Sequence, residues 1–387
     1  MEVRQGRDGF REDPAGSCPQ GSGPDHDEGA GDDTGIPIPP RPQRPSLARL
    51  LPGVAASLLT LGVLGFILYR LDFAALVRAL AGARYGYVVP LILTTIVFQL
   101  VGVLQWRLIL SSVKWVGPMR LFAAQMVGAL ATGVFQLPVG AVVKAYVVAR
   151  REQVSMSAVL ATTLSDRLID GFAFVGLVGV VLGGLPLPPS SAPVQAVLRA
   201  AGWTSLGLYV GLALMLAGVG AFPGQGAALV ERLVGRFAPA RASRIARLYA
   251  RFCQGVRLPA RWRDCVLLVG CAAAKKAIIP FQVYWIARAF GLELPWTAYI
   301  FQVVFLGFLV VAAGAVGVRG TYQAGMAVVL GFYGVTKEIA VAIALIVEVV
   351  AHGTVFALGL LFLWREGITR EDLRALAAQW RRSGQGA

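Results

Sequence analysis

From Gly53 to Trp364 the chain is a succession of apolar runs, several of them near the roughly 20 helical residues that cross a hydrocarbon core of about 30 Å. Six read as complete crossings: Leu47–Tyr69, Tyr87–Leu110, Leu168–Leu185, Trp203–Phe222, Cys265–Phe290 and Ile339–Trp364. So many long runs predict an all-α polytopic membrane protein, because in lipid a single segment satisfies its own backbone groups only as a helix. A hydrophobic content of 56% and a mean hydropathy of +0.66 agree.

The net charge of +15 is unevenly placed. Residues 1–46 hold nine acidic and five basic side chains, a balance of −4, so the remainder carries about +19. That first segment is rich in Gly, Pro and Asp, and it is expected to be a disordered cytoplasmic tail. The positive charge flanks apolar spans, which points to membrane orientation and anionic headgroups and away from nucleic acid as a partner. Nine arginines crowd the Pro223–Asp264 loop (Arg232, Arg236, Arg241, Arg244, Arg247, Arg251, Arg257, Arg261, Arg263), which places it in the cytoplasm. Apolar residues recur at helical spacing over Leu229–Phe252, as in a helix lying on the membrane surface. Gly183–Ala200 and Gly291–Trp296 are expected outside, and the basic tail 365–387 inside. Both termini are then cytoplasmic, in a multi-pass membrane protein.

Two apolar segments do not read as simple spans. Leu121–Val148 is interrupted by Gly133, Pro138 and Gly140, and Ala298–Val335 by Gly314, Gly317 and Gly320. Taken as re-entrant or broken helical hairpins, they leave six full crossings among about eight hydrophobic segments. The halves 47–185 and 203–364 then form an inverted repeat of the kind many transporters use. The alternative is eight plain helices without internal symmetry, which places the basic loops less comfortably.

The chemistry-bearing residues gather at these interruptions. Lys144 follows the Leu137-Pro138-Val139-Gly140 break, where freed backbone groups need a polar cavity. It either holds a phosphate there or reaches toward headgroups from a kinked helix. Arg319 follows the second glycine turn; its guanidinium suits a phosphodiester, and Gln302, Tyr322 and Gln323 would add donors. Asp166, Arg167 and Asp170 are spaced for one helix face and a local ion pair, which is either helix-start capping or a charged network gating a cavity. Lys275 and Lys276 fall deep in an apolar stretch, unless the helix begins only near Ala277. Glu348 lies similarly deep in the last span, with His352 one turn on, and is expected to pair with Lys275 or Lys276. Trp106-Arg107 reads as an interfacial anchor. Cys18, Cys253, Cys265 and Cys271 lack metal-ligand spacing, so neither a metal site nor a cofactor is expected.

In order and spacing, these motifs resemble the lysylphosphatidylglycerol synthase transmembrane region, or flippase-like family. They are a Trp-Arg pair ending a span, a Leu-Pro-x-Gly break followed by a basic residue, an acidic-Arg-Leu-x-Asp stretch, and a glycine-rich break before the last span. The likeness covers about Leu47–Trp364. It implies an inner-membrane protein that translocates or handles an anionic or phosphate-bearing lipid between leaflets: a phospholipid, an aminoacyl-phospholipid, or a polyisoprenoid-linked or hopanoid-type lipid. Membrane lipids, and lipid-biosynthesis enzymes beside them, are the partners it implies. Ala141 and Gly320 stand where the family usually has acidic residues, and its soluble aminoacyl-transfer domain has no counterpart in this sequence, so synthase activity is not expected. From the residues, Lys144, Lys275, Lys276 and Arg319 are assigned to a headgroup, and Asp166, Arg167, Asp170 and Glu348 to the charged network. An integral-membrane transferase using a lipid-linked donor and a proton-coupled small-solute transporter remain alternatives.

Overall fold

A computed structural model describes residues 72–135, 139–236, 239–256, 261–314 and 320–365. Among them are twelve α-helices and no strand. They are α1 Phe73–Gly82, α2 Val88–Leu110, α3 Pro118–Phe135, α4 Val139–Glu152, α5 Met156–Gly184, α6 Ala192–Ala221, α7 Pro223–Gly235, α8 Pro239–Val256, α9 Trp262–Ala289, α10 Trp296–Gly314, α11 Thr321–Gly331 and α12 Lys337–Arg365. Five helical stretches are long and apolar enough to cross a membrane: Tyr85–Leu110, Met156–Gly184, Pro189–Ala221, Trp262–Ala289 and Lys337–Arg365. The chain is a polytopic α-helical membrane protein. The expected first span, Leu47–Tyr69, lies outside the described residues, as do Pro138, Gly317 and Arg319.

Both interrupted segments are helix–break–helix hairpins, α3/α4 and α10/α11. Each returns to the end of the bundle from which it started. At the first, Glu152, closing α4, accepts from Arg120 at the start of α3 (3.0 Å) and pairs with Lys114 in the preceding loop (3.0 Å). At the second, Phe301 near the start of α10 packs 6.4 Å from Phe332 just past α11.

The two hairpins open at opposite ends. Helices α2 and α9 run antiparallel: Thr94 and Thr95 bond Trp285 and Gln282 at one end, and Leu108 and Ile109 pack on Leu268 at the other. Hairpin α3/α4 follows the end of α2, and hairpin α10/α11 follows the end of α9. The packing maps onto itself when α2 is exchanged for α9, α3/α4 for α10/α11 and α5 for α12. Helix α3 lies on α12 as α10 lies on α5, α4 on α5 as α11 on α12, and α2 on α5 as α9 on α12. This is the packing of an inverted-topology repeat.

Small residues set the closest approach. A Cβ on Gly140 would collide with Thr132 Oγ1 and with the Gly128 backbone, so α3 and α4 touch main chain to main chain. Gly140 therefore serves packing here and not turning. At the second break Gly320 takes the left-handed conformation (φ 81°), open to glycine at little cost.

Several expectations need correction. The span expected at Leu168–Leu185 begins twelve residues earlier, so Asp166, Arg167 and Asp170 lie within α5 and do not cap its start. The expected outer segment Gly183–Ala200 is largely helical, because α6 starts at Ala192 behind a short 3-10 turn. The arginine-rich loop is two helices, α7 and α8. The pair is fixed to the first half of α5, where Gly255 meets the Ala158 backbone and Val256 clusters with Ala161 and Leu216. Helix α1, packed against α12, carried too short an apolar run to stand out.

The Glu152 clasp yields a pH-dependent prediction. Hydrogen bonds from Lys114 and Arg120 hold its carboxyl below the usual range. Its contribution is therefore complete above the ordinary value of 4.5 and fades as pH falls through the lower folded value. Both cations are partly exposed, so Glu152→Gln is expected to cost about 1 kcal/mol at pH 7. Thermal melts of both proteins should converge in acid; a gap that stays constant below pH 4.5 contradicts the clasp.

Candidate functional site

Where α2, α3, α4, α5 and α9 meet, the bundle encloses four charged groups. Asp166 and Asp170 lie one turn apart on α5 and face the same way. Gln105 of α2 donates through Nε2 to both carboxylates, at 2.9 Å and 3.1 Å. Lys275 of α9 reaches both oxygens of Asp170 at 2.7 Å. On the other flank Lys144 of α4 stands 3.9 Å from Asp166 Oδ2. Its ammonium also lies 3.7 Å from the centre of the Trp106 ring and donates to Gln125 Oε1 (3.3 Å), and Gln125 donates in turn to Gln99 (3.1 Å). Trp106 is held by Thr162, which accepts its indole N–H at 3.2 Å.

Two lysines and two aspartates make the cluster neutral, and burial makes it consequential. Lys144 is 9% exposed, Asp166 7% and Lys275 6%, while Gln105 and Trp106 are fully covered. Along Lys144–Asp166–Gln105–Asp170–Lys275 each carboxylate has a lysine on one side and the neutral Gln105 amide on the other, so each charge has a nearby partner, without which burial would be prohibitive. One acceptor is left over: Gln105 Oε1 is buried with no hydrogen-bond partner among the described residues.

Lys275 and Lys276 lie about 20 Å along α9 at helical rise, so a helix starting near Ala277 is excluded. They diverge: Lys275 turns inward to Asp170, whereas Lys276 lines a groove on the outer side of α9. Three expected contacts are not made. Arg167 is exposed and forms no ion pair with Asp170. Glu348 pairs with neither Lys275 nor Lys276; α12 turns it to α11, where it accepts from Gln323. Trp106 is no interfacial anchor but a buried wall of the cluster, although Arg107 does stack over Trp115 (4.2 Å).

Glu348 and Gln323 sit on α12 and α11, the helices that the repeat relates to α5 and α4. There a neutral amide stands beside the carboxylate, whereas α4 and α5 set Lys144 beside Asp166. Gln302, 2% exposed, lies on α10, the helix that the repeat relates to α3, which carries Gln125. His352 contacts the Glu348 carbonyl at 2.9 Å. Among the described residues no group of three or more His, Cys, Asp or Glu is placed to hold a metal ion.

Sequence reasoning did not single out Gln99, Gln105, Gln125 or Thr162. Glutamine inside an otherwise apolar crossing was the available signal, since its amide needs a partner at that depth.

An inverted helical repeat with broken hairpins and a charged core defines a polytopic α-helical membrane protein. The family model for the lysylphosphatidylglycerol synthase TM region matches residues 53–381, and the chain belongs to that family. No curated protein and no solved structure matches the chain.

Proposed function

We propose that this protein moves an anionic or phosphate-bearing lipid between the leaflets of the cell inner membrane, with the headgroup passing the Lys144–Asp166–Asp170–Lys275 cluster. The observation that carries the reading is that three charged side chains, Lys144, Asp166 and Lys275, lie buried beside a broken hairpin, with a fourth, Asp170, half-buried among them. Charges deep among membrane helices are costly and mark substrate or ion pathways. A lysine that turns from its carboxylate to a lipid phosphate keeps a counter-ion, and Gln105 still donates to the carboxylate it leaves. The unpartnered Gln105 oxygen offers an acceptor to a headgroup hydroxyl or amine. Inverted repeats support alternating exposure of one central site to either face. Both termini and the α7/α8 arginines lie on the cytoplasmic side in this reading, so cysteine labelling at Ser190 and Ser243 should report opposite faces.

The test is purified protein in liposomes with leaflet-resolved fluorescent phospholipids and polyprenyl phosphates. Lys144→Ala is expected to reduce lipid exchange by about 100-fold while the protein stays folded, an effect of about 2.7 kcal/mol on the barrier. Exchange at the wild-type rate removes the cluster from the path. A second reading, proton-coupled transport of a small solute, is favoured only by Glu348, a carboxylate held by the neutral Gln323. A pH-gradient-driven uptake lost in Glu348→Gln, with lipid exchange absent, would support it instead.

A further inference from the structure

Beyond the buried cluster, the outer faces of α5, α9 and α10 enclose a groove of about 950 Å³. Its walls are apolar, among them Ile169, Phe172, Ala273, Phe281, Trp296 and Ile300, and the one charged residue lining it is Lys276. That lysine has no hydrogen bond or ion pair with any described residue; the nearest aromatic ring, Phe174, is centred 5.8 Å away. At about 21 Å along a 28-residue apolar helix, it stands too deep for its stem to carry the ammonium to either surface. A cation at such a depth calls for an anion, and apolar walls around it exclude a hydrated one.

We propose that this groove is a lateral binding site for one anionic glycerophospholipid, its phosphate on Lys276 and an acyl chain along the walls of α5 and α9. The proposal rests on the lipid-handling reading above and names where the lipid waits. A single cation fits a lipid with one net negative charge. A zwitterionic lipid brings its own cation, for which the groove offers no carboxylate. The site also backs onto the cluster. Ile169 and Lys276 face the groove, while their chain neighbours Asp170 and Lys275 pair with each other at 2.7 Å. A phosphate leaving Lys276 therefore passes between α5 and α9 to reach Lys275.

The experiment uses the full chain in nanodiscs of equal phosphatidylglycerol and phosphatidylcholine, with retained lipids counted by native mass spectrometry. Wild type is expected to keep one phosphatidylglycerol under activation that strips phosphatidylcholine. Lys276→Gln should lower that retention about ten-fold, and Lys276→Arg should keep it. Gly176 lines the groove, and a Cβ added there meets nothing within 4 Å. Gly176→Trp should therefore fold, fill the groove and expel the lipid with Lys276 intact. Equal retention of both lipids by wild type, or unchanged retention in Lys276→Gln, overturns the proposal. So does displacement of the lipid by inorganic phosphate, which would make free phosphate the ligand. Liposome exchange keeps the two readings apart. Lipid retained by a wild type that does not exchange lipids leaves the groove and sinks translocation. Exchange with retention indifferent to Lys276 does the reverse.

Discussion

Lys275→Met destabilises the folded protein by about 3–5 kcal/mol, because it strands the Asp170 carboxylate among apolar helices. Combining it with Asp170→Asn is expected to recover most of that loss. The neutral amide still accepts from Gln105, which lies 3.1 Å from Asp170 Oδ1, and no unpaired charge remains. Thermal unfolding of the single and double variants in detergent, followed by tryptophan fluorescence, measures the coupling directly. If the double variant is as unstable as the two single losses added together, the Lys275–Asp170 contact is not what holds α9 to α5. The same cycle bears on function: a pair kept for stability alone should be replaceable, whereas a pair that exchanges partners with a headgroup should not. The double variant is therefore expected to fold and to exchange lipid slowly.

The second large effect is steric. Gly140→Val places a Cβ against the Gly128 main chain, which has no flexible side chain to give way. Helices α3 and α4 must separate, at about 1–3 kcal/mol for overpacking. Lys144, one turn beyond Gly140, then leaves Asp166 and the Trp106 ring, so lipid exchange falls with stability. Gly211→Ala is the control. Nothing lies within 4 Å of a Cβ on Gly211 in the peripheral helix α6, so this change should be neutral or stabilising by up to about 1 kcal/mol from helix propensity. Equal effects at both positions would mean that close approach at Gly140 does not set the hairpin.

The hairpins and the repeat were visible because backbone breakers in an apolar run have few tolerable settings in lipid. Pro138, Gly140, Gly314 and Gly320 marked both interruptions, and the basic residues that flank the first (Lys114 and Arg120 before it, Arg150 and Arg151 after it) implied that its ends share a side. The clasp of Arg120 and Lys114 on Glu152 agrees with that implication. Asp166 and Asp170 were readable as one face from their spacing alone. Their partners were not. Arg167 was the near choice for Asp170 and Glu348 the deep choice for Lys275, yet α9 sets Lys275 beside Asp170, across a separation in sequence of 105 residues. Trp106 gave no better signal, since a tryptophan near the end of a span usually marks an interface.

Apolar run length, the placement of glycine and proline and the distribution of arginine determined by themselves that this chain is a bundle of membrane helices in two related halves, because each acts through local backbone and transfer energies. Which charge meets which was decided only by the tertiary structure. Pairing in a low-dielectric core depends on the rotation of α2, α5 and α9 about their axes, and that rotation is fixed by packing along their whole length. One residue's turn separates Lys275, held by Asp170, from Lys276, open to the groove.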